Sequence, residues 1–515
     1  MTRSQCYMFW AAPSLFGISR CLTYYFLNVG EFTALIAVRS VLVLLVMTVL
    51  FQILASWFFR KDIKKANTFV FIVTVFGFSF GRIDSLLSMY FNGAIMRFLC
   101  VLAYLGFVLL FCFFVYRIKR IPISFGKFMF ACSLSLVVFP LIGYITRDNE
   151  KNGNRYDFYS PKDVNKTLKP NLYVIVLDAY SRRDVLQDIY GFDNSDFIKY
   201  LELNDFYVSP NSMANYVWTS MSVPSLLNMN YINEIFVESE KKYDTVWAAK
   251  AVAGNNIAKY LEAYGYKYLE VNSGAIFSQN KMQGVETLYS PYKQSGNPFE
   301  VLTMRINGLE KMILGRTILG VLGKDYLHEE EHDQHRDNIR KSLFALQRSS
   351  EILGPKIVFA HILSPHAPFV FDQNGKSIAP EDDDVLGKGY TEPYVDQIKY
   401  LNSQIKLGIS YITEKNPDSA IILVSDHGAR NFLKEKEQIN KTNLRDCFPN
   451  FVAIRFPGKN SKKYCEEISL VNVLRLFLKT YFDNEIPLLP NQYFFNNKVM
   501  GLTEVSDKLK TSARE

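Results

Sequence analysis

Asp426 and His427 stand side by side where an apolar run ends, in the stretch SAIILVSDHG at residues 419–428. The run at 420–424 is apolar and mostly β-branched, which predicts a strand buried on both faces. Because ligands of an open α/β sheet lie beyond the carboxyl ends of its strands, we expect the pair where chemistry takes place. A carboxylate oxygen beside an imidazole nitrogen suits zinc or manganese. The plainer interpretation is an Asp that caps the next turn beside an exposed His.

Two other segments supply groups that could join this pair. Asp178 closes the apolar run NLYVIVLD at 171–178, and Thr219 lies in NYVWTSMSVP at 215–224. The threonine precedes a turn marked by proline and a predicted helix, whose N-terminus favours phosphate oxygens. A metal held by Asp178, Asp426 and His427 would lower the pKa of a coordinated Thr219 hydroxyl and make it nucleophilic. It would also offset the charge of a phosphoryl group during transfer.

A further segment adds two histidines. The sequence KIVFAHILSPHAP at 356–368 places His361 inside a predicted strand and His366 on a loop framed by prolines. The prolines hold His366 on a stiff loop, which we expect beyond the same edge of the sheet. For His361, a substrate contact and a hydrogen-bonded position in the core are both reasonable interpretations. Four strand ends whose side chains suit one chemistry predict one shared site.

The elements that must position these residues follow one another after residue 171. Short apolar runs alternate with helical patterns, which predicts an α/β domain with a mostly parallel central sheet and helices on both faces. The predicted strands lie at 172–177, 206–208, 266–271, 356–363, 420–424 and 451–456. The predicted helices include 194–204, 255–264, 333–353, 394–414 and 468–481.

The N-terminal part is dominated by long apolar stretches, which predict an α-helical transmembrane bundle. Five spans are predicted, each near the ~20 residues that cross a bilayer: 8–28, which Arg20 interrupts, 37–59, 67–91, 97–116 and 126–146. Basic loops at 60–65 and 117–120 are expected in the cytoplasm, so the chain after Thr146 is expected outside it. The predicted organisation is a membrane domain at 1–146, a polar linker at 147–170 and an extracytoplasmic or periplasmic catalytic domain at 171–515, in a multi-pass protein of the plasma (inner) membrane.

Composition agrees with a chain that is part membrane and part soluble. Of 515 residues, 49% are hydrophobic and 21% are charged. The net charge of +8 is not gathered into a basic tract, so nucleic acid is not an expected partner. Arg39, Arg82 and Asp84 lie at or near membrane depth, where they could guide a lipid headgroup. The favoured interpretation is snorkelling or an internal Arg–Asp pair that only fixes helix packing. Cys447 and Cys465 could form a disulfide or remain buried thiols.

The motifs together resemble the alkaline phosphatase superfamily, in particular the lipid A phosphoethanolamine transferases and lipoteichoic acid synthases. The resemblance is carried by Asp178, by TSMSVP at 219–224, by HILSPHAP at 361–368 and by SDHG at 425–428. It implies membrane helices followed by a sulfatase-like domain. It also implies a metal bound by Asp178, Thr219, Asp426 and His427, with Thr219 as the nucleophile and His366 in contact with the substrate phosphate or a second metal.

The sequence departs from those transferases at two places. They usually carry Glu at the position of Asp178, although Asp is usual elsewhere in the superfamily. The phosphoethanolamine branch also has a His shortly after its DHG motif, and residues 429–447 contain none, which argues against a second metal site. The sulfatase element C/S-x-P-S-R is matched by SVPSL at 222–226, but Leu226 replaces the Arg that would hold the charged group there.

Other residues have a weaker claim to the site. The run HEEEHDQH places His328, His332 and His335 on one helical face, where zinc could bind, but its acidic character predicts an exposed helix start. Arg182 and Arg183 could meet an anionic substrate or lie in a solvated loop. Three polar residues of a predicted helix could cover the site: Tyr394, Gln397 and Asn402.

The leading hypothesis is metal-dependent transfer of a phospholipid headgroup, phosphoethanolamine or phosphoglycerol, to a surface glycan or glycolipid through a phospho-threonine intermediate. The cofactor is a divalent metal, zinc or manganese, and the partners are a phospholipid donor and a glycan or glycolipid acceptor. One alternative is a sulfatase-like or phosphodiesterase hydrolase with water as acceptor. Another is a catalytically inactive membrane scaffold that retains the fold.

Overall fold

The computed structural model of the chain divides into two compact units. It describes residues 3–27, 32, 34–90, 94–147, 170–235, 245–274, 285–289, 306–379, 389–431, 443–459, 466–482, 486–497 and 501–512. The first unit, the helical unit, combines Met1–Asn152 with Gln294–Glu330, and the second, the sheet unit, combines Gly153–Lys293 with Glu331–Glu515. The units therefore differ from the predicted domains in one segment, Gln294–Glu330, which groups with the N-terminal helices.

Five long helices form most of the helical unit. They are α1 (Arg3–Leu27), α2 (Ala34–Phe58), α3 (Ile63–Tyr90), α4 (Ala94–Arg117) and α5 (Ile123–Arg147). Among the residues that the structure describes, four stretches are long and apolar enough to cross a membrane: Ala34–Phe58, Ile63–Ile83, Phe98–Arg117 and Ile123–Thr146. Helix α1 is not one of them and packs against α5, α2 and α3. The transmembrane bundle is as predicted, but the count of five spans is not confirmed.

The sheet unit is built on a seven-stranded sheet with the order β2-β7-β6-β1-β5-β3-β4. Its strands are β1 (Leu172–Leu177), β2 (Tyr207–Val208), β3 (Lys267–Asn272), β4 (Val285–Tyr289), β5 (Lys356–Ile362), β6 (Ala420–Val424) and β7 (Val452–Arg455). The neighbouring strands β6, β1, β5, β3 and β4 are all parallel. Strand β7 is antiparallel to both of its neighbours, β6 and β2. A separate antiparallel pair joins β8 (Phe494–Asn497) and β9 (Gly501–Glu504). The mostly parallel sheet is confirmed.

Helices follow in chain order: α6 (Arg183–Asp188), α7 (Ser195–Leu203), α8 (Thr219–Asn228), α9 (Ile232–Ile235), α10 (Thr245–Ala253), α11 (Asn256–Glu262), α12 (Gly308–Leu314), α13 (Ile318–Leu322), α14 (Lys324–Arg348), α15 (Thr391–Lys415), α16 (Leu444–Cys447), α17 (Leu470–Phe482) and α18 (Ser506–Ser512). Helix α14 begins nine residues before the predicted start at 333, because the acidic run at 328–335 continues the helix instead of preceding it.

The central strand β1 is buried on both faces, as its unbroken apolar run predicts. Leu172, Val174 and Val176 pack in one hydrophobic core, and the alternate residues of the strand pack in the other. In register, Leu177 pairs with Ile362 of β5, and Val176 pairs with Val424 of β6. The residues that follow these three strands therefore meet at one edge of the sheet.

The returning segment of the helical unit explains one of the charges at membrane depth. The Arg39 guanidinium lies 3.3 Å from the Glu310 carboxylate of α12. Asn307 and Glu310 form a capping box at the start of that helix. Gly81 donates its N–H to the Arg316 carbonyl at 3.0 Å, and a side chain at position 81 would collide with the Arg316 backbone. Arg39 therefore forms an ion pair within its unit, with Glu310 of the returning segment; the side chain of Asp84 lies outside the described residues.

Candidate active site

The site begins with three strand ends at one edge of the sheet. Asp178 directly follows β1, and Asp426 and His427 follow β6 after one residue. The loop after β5 is held at the same point by the backbone of Asp178. Its N–H donates to the Ile362 carbonyl and its carbonyl accepts from the His366 N–H, both at 3.0 Å. These strand ends are the ones that the sequence predicts to meet.

Asp178, Asp426 and His427 could hold a metal ion. All three are buried, and one potential ligand atom from each lies within 4.8 Å of the others. His427 Nε2 is 3.1 Å from Asp426 Oδ2 and 3.5 Å from Asp178 Oδ1. The Nδ1 atom of His427 lies 2.8 Å from the Gly428 carbonyl, which can only accept, so Nδ1 carries the proton. In the neutral ring, Nε2 therefore presents its lone pair to the two carboxylates.

The chemistry of this donor set fits a divalent cation. Asp178 Oδ1 and Asp426 Oδ2 are buried and have no hydrogen-bond partner among the described residues. Burial would raise the pKa of both carboxyls, but the neighbouring histidines outweigh it and hold each pKa below its usual range. The second oxygen of Asp426 accepts from the N–H groups of Ala179 and His427, both at 3.1 Å, which fixes the carboxylate plane. Buried anionic acceptors that converge without donors are the arrangement that a cation stabilises.

Thr219 brings a hydroxyl to this cluster. It is the first residue of α8, and its Oγ1 atom lies 3.1 Å from His427 Nε2. No side chain caps the helix, so its first N–H groups and the positive end of its dipole are directed at the region around Thr219. The sequence places the hydroxyl before a turn at Pro224, whereas the structure places it in a helix that already contains Pro224.

His366 and Arg430 form the other side of this site. His366 Nδ1 lies 2.6 Å from the Ala367 carbonyl and therefore carries a proton. Its Nε2 accepts from the Arg430 guanidinium at 3.1 Å, because arginine can only donate. Burial lowers the pKa of His366 against the opposing charge of Asp178, and Arg430 lowers it further. His366 is therefore neutral, and its remaining lone pair is occupied by Arg430 rather than directed at a metal.

Arg430 is a site residue that the sequence analysis missed. Besides His366, its guanidinium donates to the Val217 carbonyl at 2.8 Å and lies 4.8 Å from the centre of the Trp218 ring. Val217 and Trp218 directly precede Thr219, so a buried positive charge stands beside the candidate nucleophile. Within the described part of the chain, every partner of this guanidinium is neutral. A buried cation without a carboxylate is costly, and an anionic group of a substrate would compensate it.

His361 contacts the metal cluster from within the sheet. It lies on β5 in register with Val176 of β1, and its Nε2 is 3.4 Å from Asp178 Oδ2. Only 2% of its surface is exposed. The structure therefore places His361 against a carboxylate of the cluster, which favours the core interpretation over a direct substrate contact.

The polar row on α15 holds the strand-end loops in place. The Tyr394 hydroxyl donates to the Ala179 carbonyl at 2.7 Å. Gln397 accepts from Val370 N–H at 2.9 Å and donates to the His366 carbonyl at 3.2 Å. Asn402 accepts from the Tyr180 hydroxyl at 2.7 Å. These residues fix the loops after β1 and β5; from the sequence, they lie on a helix that could cover the site.

Two other sets of predicted residues have structural partners. Arg182 forms a bidentate contact with Asp184 at 2.7 and 2.8 Å, and Arg183 donates to Ser195 Oγ at 2.9 Å. Neither contact is with the metal cluster. Cys447 is buried in α16, and Cys465 lies outside the described residues, so the predicted choice between disulfide and thiols stays open.

The loop after His427 is pressed against α16. Gly428 donates its N–H to the Cys447 carbonyl at 2.8 Å. A Cβ atom at position 428 would lie 2.3 Å from the Asp446 carbonyl oxygen, so only glycine allows this approach. The close contact carries the chain from the metal cluster into the left-handed backbone conformation of Arg430, whose φ is 61°.

The sequence predicts that the histidine run on α14 is exposed, but one of its imidazoles is turned inward. The Nε2 atom of His335 has no access to solvent and no hydrogen-bond partner among the described residues. Burial lowers the pKa of His335 to about 4, and the nearby His366 lowers it as well, against the charge of Asp178. The next residue, Arg336, donates to the Val370 carbonyl at 3.1 Å and so anchors α14 to the His366 loop. The side chain of His328 lies outside the described residues.

Because the pKa of His335 is lowered, we expect the folded protein to lose stability in acid. Between pH 6.5 and about 4 the unfolded chain binds a proton at His335 and the folded chain does not, so stability is lost as the pH falls through that range. Between pH 7.5 and pH 5, we expect the free energy of unfolding to fall by on the order of 2 kcal/mol less in His335→Gln than in the native protein. Melting temperatures at pH 7.5 and pH 5 measure it, with His332→Gln, one turn earlier, as the control. Equal acid sensitivity of native protein and His335→Gln would contradict the prediction.

Comparison with known proteins places this site in a family. The profile of the family described as Sulfatase matches residues 170–478. No curated protein matches the sequence. Among solved structures, the zinc complex of the periplasmic domain of EptC from Escherichia coli is 12% identical, with 65% of this chain and 93% of that chain covered and a TM-score of 0.43.

Two further structures are similar at the same low level. The integral membrane lipooligosaccharide phosphoethanolamine transferase A from Neisseria meningitidis is 11% identical over 93% of this chain and 96% of that chain, with a TM-score of 0.38. A protein of the alkaline phosphatase superfamily from Vibrio parahaemolyticus is 11% identical over 66% and 78%, with a TM-score of 0.36. Likeness at this level does not identify a substrate.

Proposed function

Since this chain belongs to the sulfatase family, we propose that it is a membrane-anchored, metal-dependent transferase. It moves the headgroup of a phospholipid, phosphoethanolamine or phosphoglycerol, to a hydroxyl of a surface glycan or glycolipid. The observation that carries the proposal is the position of Thr219, whose hydroxyl lies 3.1 Å from His427 beside two buried carboxylates that lack hydrogen-bond donors. A nucleophile beside a metal site is the arrangement that group transfer through a covalent intermediate requires.

A divalent metal, zinc or manganese, would be held by Asp178, Asp426 and His427, where it would lower the pKa of the Thr219 hydroxyl. Thr219 Oγ then forms a bond to phosphorus, and the bond from phosphorus to the diacylglycerol oxygen breaks. The proton that Thr219 loses balances the one that the leaving diacylglycerol takes up. In the second step the acceptor hydroxyl attacks the phospho-threonine and restores Thr219.

Arg430 and the start of α8 stabilise the negative charge of the transferred group. The guanidinium reaches both the Val217 carbonyl and His366, so it lies on the side of Thr219 that faces the His366 loop. It supplies the positive charge that a second metal would otherwise provide, which agrees with the missing His after the DHG motif. Preorganised donors of this kind are a large contribution to catalysis of phosphoryl transfer.

Formylglycine-dependent sulfate hydrolysis is less compatible with the geometry. Ser222, at the position that such a mechanism would modify, is buried, and its hydroxyl donates to the Tyr216 carbonyl at 3.0 Å. Leu226, at the position of the missing Arg, packs in the hydrophobic core. Thr219 therefore offers a nucleophile, whereas Ser222 stabilises the helix start.

The location of the site outside the cytoplasm does not depend on whether α1 crosses the membrane. The connections after α2 and after α4 carry the basic residues that favour the cytoplasm, so α5 leads away from it in either case. We therefore propose a multi-pass protein of the plasma (inner) membrane with a periplasmic or other extracytoplasmic sheet unit. A phospholipid donor is available in that membrane.

The test is intact-mass spectrometry of the full-length protein in detergent micelles that contain phosphatidylethanolamine or phosphatidylglycerol, with zinc or manganese. We expect the intact mass to rise by one headgroup phosphate ester, which peptide mapping should locate on the peptide that contains Thr219. The added mass should be lost when a glycan acceptor is added. Loss of the adduct to water without an acceptor would indicate a hydrolase. Absence of both the adduct and bound metal would indicate an inactive scaffold.

Arg430→Lys tests the oxyanion contact. Lysine keeps the charge and the cost of the left-handed backbone. It replaces the planar fork, whose two terminal nitrogens donate separately to the Val217 carbonyl and to His366, by a single nitrogen. We expect kcat/KM for transfer to fall about a hundredfold, with unchanged metal content. Arg445→Lys, which alters an exposed pair with Asp188, is the matched control. Full activity of Arg430→Lys, or loss of metal from it, would refute the assignment.

A further inference from the structure

A cavity of about 540 Å³ lies in the helical unit between α3, α4 and α5. Its wall is almost entirely apolar and aromatic and includes Thr68 of α3, Phe111 and Phe114 of α4, Ile121 of the α4–α5 connection and Phe125 of α5. The residues at 118–124 belong to the α4–α5 connection and the start of α5, so one end of the cavity lies where these helices end. A space of this size and composition accommodates part of a lipid acyl chain.

Basic side chains surround that end of the cavity. Lys64 Nζ lies 3.5 Å from the carbonyl of Ile121, a residue of the cavity wall, and Lys65 Nζ lies 3.2 Å from the Tyr116 carbonyl. Arg117 is exposed on the same connection, with its guanidinium 5.9 Å from the centre of the Phe113 ring. The α2–α3 and α4–α5 connections are thus held together by lysine contacts to backbone carbonyls.

The positive charge at this end is not compensated within the described part of the chain. The segments 60–65 and 117–120 carry seven Lys and Arg residues and one acid, Asp62. Asp62 accepts from the N–H groups of Lys64 and Lys65 at 3.1 and 3.2 Å and so caps α3. No described carboxylate forms an ion pair with Lys64, Lys65 or Arg117. An external anion would relieve their mutual repulsion.

Thr68, a residue of the cavity wall, carries an unsatisfied polar group. Its Oγ1 atom is buried and has no hydrogen-bond partner among the described residues, although a threonine in a membrane helix usually bonds to its own backbone. Thr68 lies one helical turn beyond Lys64, a rise of about 6 Å. Ester carbonyls of a phospholipid lie at a similar depth below its phosphate, and such a carbonyl would accept from the Thr68 hydroxyl.

We propose that this cavity binds a phospholipid with an anionic headgroup. The headgroup phosphate lies among Lys64, Lys65 and Arg117, an ester carbonyl accepts from Thr68, and an acyl chain fills the apolar space. Basic pockets between membrane helices on the cytoplasmic side favour anionic lipids. The proposal rests on residues of the helical unit alone and does not depend on the proposed reaction.

Native mass spectrometry of the full-length protein tests this proposal. Delipidated protein in detergent is mixed with equal amounts of phosphatidylglycerol, phosphatidylethanolamine and phosphatidylcholine. We expect one phosphatidylglycerol to be retained in preference to both zwitterionic lipids. Neutralising Lys64, Lys65 and Arg117 to Gln should weaken this preference about fivefold for each charge removed. The control with the same change in net charge replaces three exposed lysines of the sheet unit, Lys199, Lys250 and Lys267, by Gln.

A second variant tests the cavity independently of charge. Thr68→Val keeps the side-chain volume and should weaken retention of phosphatidylglycerol severalfold. Thr74→Val is the control on the same helix, because the Thr74 hydroxyl donates to the Val70 carbonyl. Equal retention of all three lipids by the native protein, or an unchanged preference in the triple Gln variant, would overturn the proposal. If the triple variant does not fold, the single Lys64→Gln and Thr68→Val variants decide.

Discussion

Thr219→Ala is expected to abolish transfer of the lipid headgroup, with a fall in kcat of about 10³-fold or more, because the variant has no group that can form the covalent intermediate. The fold and the metal cluster should persist. Asp178, Asp426 and His427 keep all their other contacts, and Thr219 caps nothing with its side chain. The measurements are the rate of headgroup transfer, the mass of the intact protein after incubation with lipid, and the bound metal by elemental analysis.

Ser220→Ala is the matched control, since it removes the neighbouring hydroxyl from the same helix start. It should retain most of the activity. Thr219→Ser should recover part of it, because a hydroxyl returns to the same backbone position. Substantial transfer by Thr219→Ala, or an adduct that maps to another residue, would remove Thr219 from the mechanism.

Asp426→Asn is expected to lower metal affinity by at least about a hundredfold and transfer activity in parallel, because it removes one anionic ligand without changing the shape of the side chain. The loss of stability should be larger with metal than without it. In metal-free protein, the pKa of Asp426 lies below its usual range, so its carboxylate contributes stability at neutral pH and the variant should melt at a somewhat lower temperature. With saturating metal, the difference in melting temperature should widen, because the native protein gains more binding free energy than the variant.

Asp446→Asn separates this effect from a general loss of a buried charge. Asp446 is buried behind the loop of Gly428, where its carboxylate accepts from the Tyr190 hydroxyl. We expect its variant to be destabilised equally with and without metal and to bind metal normally. If Asp426→Asn behaves in the same way as Asp446→Asn, the cluster does not hold a metal.

The sequence predicts the strand ends well because their signals are local. An apolar run that stops at Asp178, or at Ser425 before Asp426 and His427, indicates both a buried strand and its end. Parallel strands then bring these ends to one edge of the sheet, so Asp178 and His427 meet without any knowledge of tertiary packing. The structure brings Thr219 to them, and the metal they are predicted to bind stays a proposal.

Arg430 and His335 depend on tertiary contacts that no local pattern reveals. Arg430 reaches Val217 only because Gly428 lies against the Asp446 carbonyl and the chain then turns through a left-handed conformation. Because Arg430 follows the DHG motif after one residue, it would have been a reasonable candidate for a site residue from the sequence. His335 lies in an acidic run that is typical of a solvated helix, yet one face of that helix is anchored by Arg336 and turns the imidazole inward.

The returning segment of the helical unit bears on how a soluble form of this protein could be made. Leu309 and Ile313 of α12 are buried in a cluster with Cys21 and Ile36 of the first two helices. A recombinant fragment that simply starts at residue 170 would expose these apolar side chains to water and would be prone to aggregate. Replacing residues 294–323 with a short polar linker removes them. We therefore expect a water-soluble form to require an N-terminal truncation together with an internal deletion.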